Sequence, residues 1–139
     1  MTARLLLVED NAADANLLMT LLRDTPFRGE VAWVRDGEQA LDFLFQRGAH
    51  LYSQPVQGLI LDLGLPKLSG REVLETLRSE ERFRDLPVVI LSSSSMSTDI
   101  FKCHQLGISG YLTKPSDLSD YHSMAVRLAS QFAPAPEIG

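Results

Sequence analysis

Three carboxylates, a hydroxyl and an amine each stand where an apolar run stops. Glu9 and Asp10 follow residues 5–8, Asp62 follows 59–61, Ser92 follows 88–91, and Lys114 comes just after 110–112. Brought together, these groups suit one chemistry. Carboxylates held close repel, so either one takes a proton or a divalent cation settles among them. Hard oxygen donors in a partly hydrated site suit Mg²⁺. A metal beside a lysine and a hydroxyl prepares a site for a phosphoryl group, with Asp62 as the nucleophile that forms an aspartyl-phosphate. Each residue alone has a plainer use: Asp62 as a loop cap, Glu9 and Asp10 as solvated charges before a helix, Ser92 in a serine-rich loop, Lys114-Pro115 as a common dipeptide. The chemistry depends on a fold that collects them.

The elements that must do this alternate five times between strand and helix. Residues 5–8 form a strand, and Asn11 caps a helix carrying Leu17, Leu18, Leu21 and Leu22, with Asp14 in its first turn. Residues 31–34 form a second strand, and Asp36-Gly37-Glu38-Gln39 is a capping box for a helix with Ala40, Leu41, Leu44 and Phe45 inward. Residues 47–57 have no sustained period and predict a surface loop. The run ending on Asp62 lacks alternation, as a strand covered on both faces does. Ser69-Gly70-Arg71-Glu72 opens a third helix with Val73, Leu74 and Leu77 inward, and Pro87 introduces the strand 88–91. Ile100, Phe101, Cys103 and Leu106 mark the buried face of a fourth helix closed by Gly107. After the short strand 110–112, a last helix from about Ser116 or Ser119 carries Tyr121, Met124, Ala125, Leu128 and Phe132. This α/β alternation predicts a doubly wound five-stranded parallel sheet, order 2-1-3-4-5, with five helices on its two faces. In that order the carboxyl ends of the strands form one rim, and the polar residues meet there.

With 139 residues the chain is one domain, predicted over 1–132, followed by a proline-containing tail at 133–139. Its 45% hydrophobic and 22% charged content is that of a globular protein, and its apolar runs are strand-sized, so no membrane association is expected. The net charge of −5 with scattered Lys and Arg excludes the footprint of a nucleic-acid binder. One cysteine, Cys103, and no secretory leader predict a cytoplasmic protein. Cys103 is expected to be a packing residue, His50, His104 and His122 lack metal-ligand spacing, and Trp33 packs in or beside the second strand.

The constellation resembles the receiver domain of two-component response regulators, a flavodoxin-like fold, over the chain up to about Phe132. What the resemblance implies is specific. Asp62 in LILDLGLP stands at the phosphoacceptor position. Glu9 and Asp10 match the acidic pair, with Asp10 binding Mg²⁺ (or Mn²⁺) directly, Glu9 acting through water, and the main-chain carbonyl of Gly64 a further ligand. Ser92 matches the switch hydroxyl, Lys114 the phosphate-binding lysine, and Tyr111 the aromatic that turns inward as Ser92 moves; the N–H of Ser93 faces the phosphoryl oxygens. Gly64 places no side chain beside the attacking water's path, which predicts hydrolysis that is not slow. Within the family, the loop FLFQRGAHLYSQP and the run from Pro87 to Ser94 are similar to stand-alone regulators paired with bacterial phytochromes. That implies a phytochrome-type histidine kinase as donor and a homodimer through the fourth helix, fifth strand, fifth helix and tail.

Such a protein would catalyse only its own phosphorylation and dephosphorylation. Two competing functions share part of the pattern. A haloacid-dehalogenase-type phosphatase also uses an aspartyl nucleophile, but wants an aspartate where Gly64 stands. A phosphorylation-independent dimeric scaffold would leave the acidic and lysine positions without use.

Overall fold

Leu5 and Leu7 face one side of a sheet, while Leu6 and Val8 face the other, and every one of them is buried. The computed structural model describes residues 3–25, 27, 29–65, 67–93 and 97–132. The expected tail at 133–139 and the loop residues Ser94 and Ser95 lie outside that set. In chain order the elements are β1 (Ala3–Val8), α1 (Ala12–Arg23), β2 (Gly29–Val34), α2 (Gly37–Leu44), β3 (Gly58–Asp62), α3 (Gly70–Ser79), β4 (Val88–Ser92), α4 (Ser97–Gln105), β5 (Gly110–Thr113) and α5 (Leu118–Phe132). All strand pairs are parallel, in the order β2-β1-β3-β4-β5.

The period of two divides the core. Leu5, Leu7, Ile60, Val89 and Leu91 meet Leu18 and Leu22 of α1 and Tyr121, Met124 and Leu128 of α5. Leu6, Val8, Leu59, Leu61 and Ile90 meet Leu41 and Leu44 of α2, Val73, Leu74 and Leu77 of α3, and Cys103 of α4. Because β3 and β4 are covered on both faces, every residue in them is buried, as their unbroken apolar runs require.

The helix starts are set by their caps. Asn11 Oδ1 accepts the N–H of Asp14 at 3.0 Å, Asp36 Oδ1 that of Gln39 at 2.8 Å, and Ser69 Oγ that of Glu72 at 3.2 Å. Two local expectations, for Gln39 and Phe101, need correction. Gln39 does not close a reciprocal box onto Asp36; its longer side chain passes the cap residue and accepts the N–H of Arg35 at 3.3 Å. The 47–57 segment is an exposed loop as predicted, and it holds a 3₁₀ turn, Gly48–His50, with Ser53 Oγ donating to Phe43 O at 2.6 Å. Phe101 is 64% exposed, whereas Cys103 on the same helix is buried.

Gly70 sets the distance between α3 and the end of β3. Its N–H donates to Leu63 O at 3.2 Å, and a Cβ there would press on the Asp62 carbonyl oxygen and lie 2.8 Å from Leu63 Cα. Backbone is the obstacle, so a methyl cannot be absorbed by a rotamer change. Gly70→Ala is expected to cost about 1–3 kcal/mol in urea unfolding, and to weaken Mg²⁺ binding because the displaced backbone carries Asp62. An unchanged unfolding midpoint would show that the strand end has slack.

Candidate functional site

β1, β3 and β5 deliver their charges to one rim. The ladder continues one residue past β1, with Glu9 N–H donating to Val34 O at 3.1 Å, and past β5, with Lys114 N–H donating to Ser92 O at 2.8 Å. These bonds fix the backbones of both residues. Glu9 is 2% exposed and Asp62 6%, while Asp10 faces solvent, and carboxylate oxygens of the three lie within 4.8 Å of one another.

Lys114 is the positive centre of this cluster. Its Nζ lies 2.7 Å from Glu9 Oε2 and 2.9 Å from Asp62 Oδ2. The other Asp62 oxygen, Oδ1, accepts the N–H of Gly64 at 2.9 Å. Among the described residues outside its chain neighbours, a Cβ at Gly64 would meet Asp62 Oδ1 at an ordinary 3.8 Å, so the rim beside the carboxylate has room there. Ser92 is buried at the end of β4, Ser93 is exposed beyond it, and half-buried Tyr111 of β5 packs against the core on the α2–α4 side of the sheet.

β2 and the residue that follows it add two groups that strand-end reasoning did not assign to the site. Trp33 Nε1 donates to Glu9 O at 2.8 Å, and Arg35 stacks over the indole at 5.2 Å while its Nη2 reaches Asp10 O at 3.5 Å. The main chain of the acidic pair is therefore held from the side. A half-buried indole N–H needs an acceptor, and that need was the available signal. Asp14 of α1 is the other addition, with Oδ2 3.6 Å from Lys114 Nζ.

Burial pushes the Glu9 carboxyl up from 4.5 to about 7, against the pull of Lys114; the Asp62 charge adds to the rise and the Asn11 N–H opposes it. Burial works to lower the Lys114 ammonium, but hydrogen bonds to Glu9 and Asp62 outweigh it and hold the group above its ordinary value. For Glu9 the folded protein binds the proton more tightly than the unfolded chain does. Its contribution to stability is whole below 4.5 and is lost as pH rises through about 7. Glu9→Gln should therefore match the parent near pH 4.5 in metal-free urea unfolding and exceed it at pH 8. An advantage that did not grow with pH would contradict the burial argument.

A cluster with this excess of negative charge, one member open to water and all donors oxygen, suits a divalent cation. Bound there, such an ion would neutralise carboxylate charge and the charge of an incoming phosphoryl group.

Known proteins share both sequence and fold. The family model of the response regulator receiver domain matches residues 5–126. The probable methanogenesis regulatory protein FilR2 of Methanothrix harundinacea is 40% identical over 116 residues, covering 84% of this chain and 74% of that protein. Response regulator Rcp1 of Synechocystis sp. is 36% identical over 126 residues, covering 91% of this chain and 86% of Rcp1. The crystal structure of its Mn²⁺-bound form superposes with a TM-score of 0.88 at 33% identity, over 97% of this chain and 99% of the other. The phosphorylated cyanobacterial phytochrome response regulator RcpA gives 0.86 at 36% identity, over 92% and 91%. The Mn²⁺-bound relative and the Glu9, Asp10 and Asp62 cluster together fit the divalent-metal site of receiver domains. The chain belongs to the response regulator receiver domain family of two-component signalling.

Proposed function

We propose that Asp62 accepts a phosphoryl group from a phosphohistidine of a sensor kinase of phytochrome type. The observation that carries this reading is the Lys114 ammonium bridging Glu9 and Asp62, within 2.7 and 2.9 Å, beside a third carboxylate on an open rim. Asp10, Asp62 and the Gly64 carbonyl would hold Mg²⁺ or Mn²⁺, with Glu9 acting through water. An Asp62 oxygen attacks phosphorus, the phosphorus–nitrogen bond breaks, and the kinase imidazole leaves with the electron pair. Lys114, the Ser92 hydroxyl and the Ser93 N–H receive the phosphoryl oxygens. Ser92 then moves toward the phosphate, and Tyr111 turns into the space between β5 and α4.

The partner of a receiver domain is a histidine kinase. The phytochrome assignment draws on the similarity to RcpA, a cyanobacterial phytochrome response regulator. We assign residues 1–132 to the receiver and 133–139 to a tail that aids a homodimer through α4, β5 and α5. Phe101, Leu118 and Val126, large apolar residues exposed on α4 and α5, support that surface. No described helix is long and apolar enough to cross a membrane, and a cytoplasmic site of action without nucleic acid follows from this reading and the acidic charge. The protein signals through its phosphorylated surface and does not turn over an external substrate.

Incubation of the full chain with acetyl phosphate and Mg²⁺ tests the reading. One phosphoryl group per chain, mapped by peptide mass to Asp62 and absent without Mg²⁺, is expected. A label mapped elsewhere would overturn it.

A further inference from the structure

Asp14 is placed by the start of α1. Its N–H is held by Asn11 Oδ1 at 3.0 Å, and from the first turn its carboxylate reaches the rim, 3.6 Å from Lys114 Nζ. The lysine is only 14% exposed and has three anions around it. They are not equivalent. Glu9 and Asp62 belong to the cluster that suits a divalent cation, whereas Asp14 stands outside it.

Both Asp62 oxygens carry a donor, Gly64 N–H on Oδ1 and Lys114 Nζ on Oδ2. A donor on a nucleophilic oxygen lowers its electron density. Gly64 donates from the main chain and cannot withdraw, but Lys114 sits on a four-carbon stem and can. A cation taking up the charge of Glu9 and Asp62 leaves Asp14 as the anion still free to hold the ammonium. On its other side Asp14 lies near Tyr121 of α5, a buried phenol pushed up first by burial and next by the Asp14 charge. α1 and α5 thus both touch the group that holds the lysine.

We propose that Asp14 is a positioning residue for phosphotransfer: it takes the Lys114 ammonium as it leaves Asp62 Oδ2, freeing that oxygen to attack, and links this movement to α1 and α5. This rests on Asp62 being the acceptor. The lysine moves less than the length of its own stem and changes only its ion-pair partner. No covalent bond of Asp14 or Lys114 is made or broken.

The test is the initial rate of labelling of the full chain by acetyl phosphate with Mg²⁺, for Asp14→Asn, Asp14→Glu and Asp14→Asn combined with Lys114→Ala. Asparagine keeps the size of the side chain and removes its charge. It should slow labelling between about twofold and fivefold, the range that a half-exposed ion pair carries. Glutamate should restore most of the rate, which a merely structural role for the aspartate shape would not predict. Lys114→Ala alone should lower labelling to a slow residual rate, and in that background Asp14→Asn should leave the residual rate unchanged, because the pair is already gone. An unchanged rate in Asp14→Asn, or a slowing that persists without Lys114, overturns the proposal and leaves Asp62 as acceptor untouched. Absence of label on the unsubstituted chain overturns both.

Discussion

Asp62→Asn should reduce labelling by acetyl phosphate to background while changing unfolding stability by no more than about 1 kcal/mol. The amide is neutral and no nucleophile at phosphorus, so the chemistry goes with the charge. Stability is nearly conserved because two effects oppose each other. Removing one of three carboxylates within 4.8 Å of each other relieves repulsion and the cost of burying a charge. Against this, the amide has a donor end, and both Lys114 and the Gly64 N–H demand an acceptor at 2.9 Å. Whichever way the amide turns, one donor faces another, at a cost of about 1–3 kcal/mol. Mg²⁺ affinity should fall at least about tenfold, since a charged ligand becomes a neutral one. Intact mass, urea unfolding and a Mg²⁺ titration read by Trp33, whose indole holds Glu9, check the three statements. A stable Asn variant that labels at the parent rate would remove Asp62 from the chemistry.

The fold was legible wherever burial on both faces or a cap wrote a local signal. β3 and β4 are unbroken apolar runs because helices cover both sides, and Asn11, Asp36 and Ser69 cap their helices through contacts three residues long. Phe101 departs from the apolar pattern for a geometric reason. At about 100° per residue it lies roughly 160° around the helix from Cys103, so the two cannot share a buried face. The contiguous apolar spelling of Ile100 and Phe101 hid that rotation. The turn at Gly48–His50 was hidden too, because its anchors, Ser53 on Phe43 O and Gln46 on Ser53 O, are polar groups with no periodic signature.

The site divides along the same line. Glu9, Asp10, Asp62 and Lys114 announce themselves because each follows an apolar run, and parallel topology alone brings such positions to one rim. Asp14 and Trp33 depend on more than topology. The reach of Asp14 to Lys114 requires the angle at which α1 leaves β1, which the Asn11 cap and the packing of Leu18 and Leu22 set together. Trp33 reaches Glu9 only because β1 and β2 pair with Leu7 opposite Trp33, a register that no local pattern dictates.

Lys114→Ala separates the two ways in which this rim balances its charge. In the metal-free protein it leaves Glu9 and Asp62 buried without their cation, and breaking one side of a buried pair costs about 3–5 kcal/mol. That loss should depend on pH. Lys114 is one of the groups holding Glu9 down, so without it the Glu9 carboxyl rises beyond about 7. At pH 5 Glu9 is then protonated and one buried charge is absent; at pH 8 the carboxyl must ionise without compensation or the fold must pay in stability. The variant should therefore lose more stability at pH 8 than at pH 5. The parent's ammonium, held above its ordinary value, protects it at both. Mg²⁺ supplies positive charge to the same three carboxylates, so a saturating concentration should recover most of the loss at pH 8 and little at pH 5. Labelling should not recover with it, because an ion among the carboxylates does not replace the amine that meets the phosphoryl oxygens. Urea unfolding at both pH values, with and without Mg²⁺, decides the matter: an equal loss under all four conditions would mean that Lys114 serves packing and not charge balance.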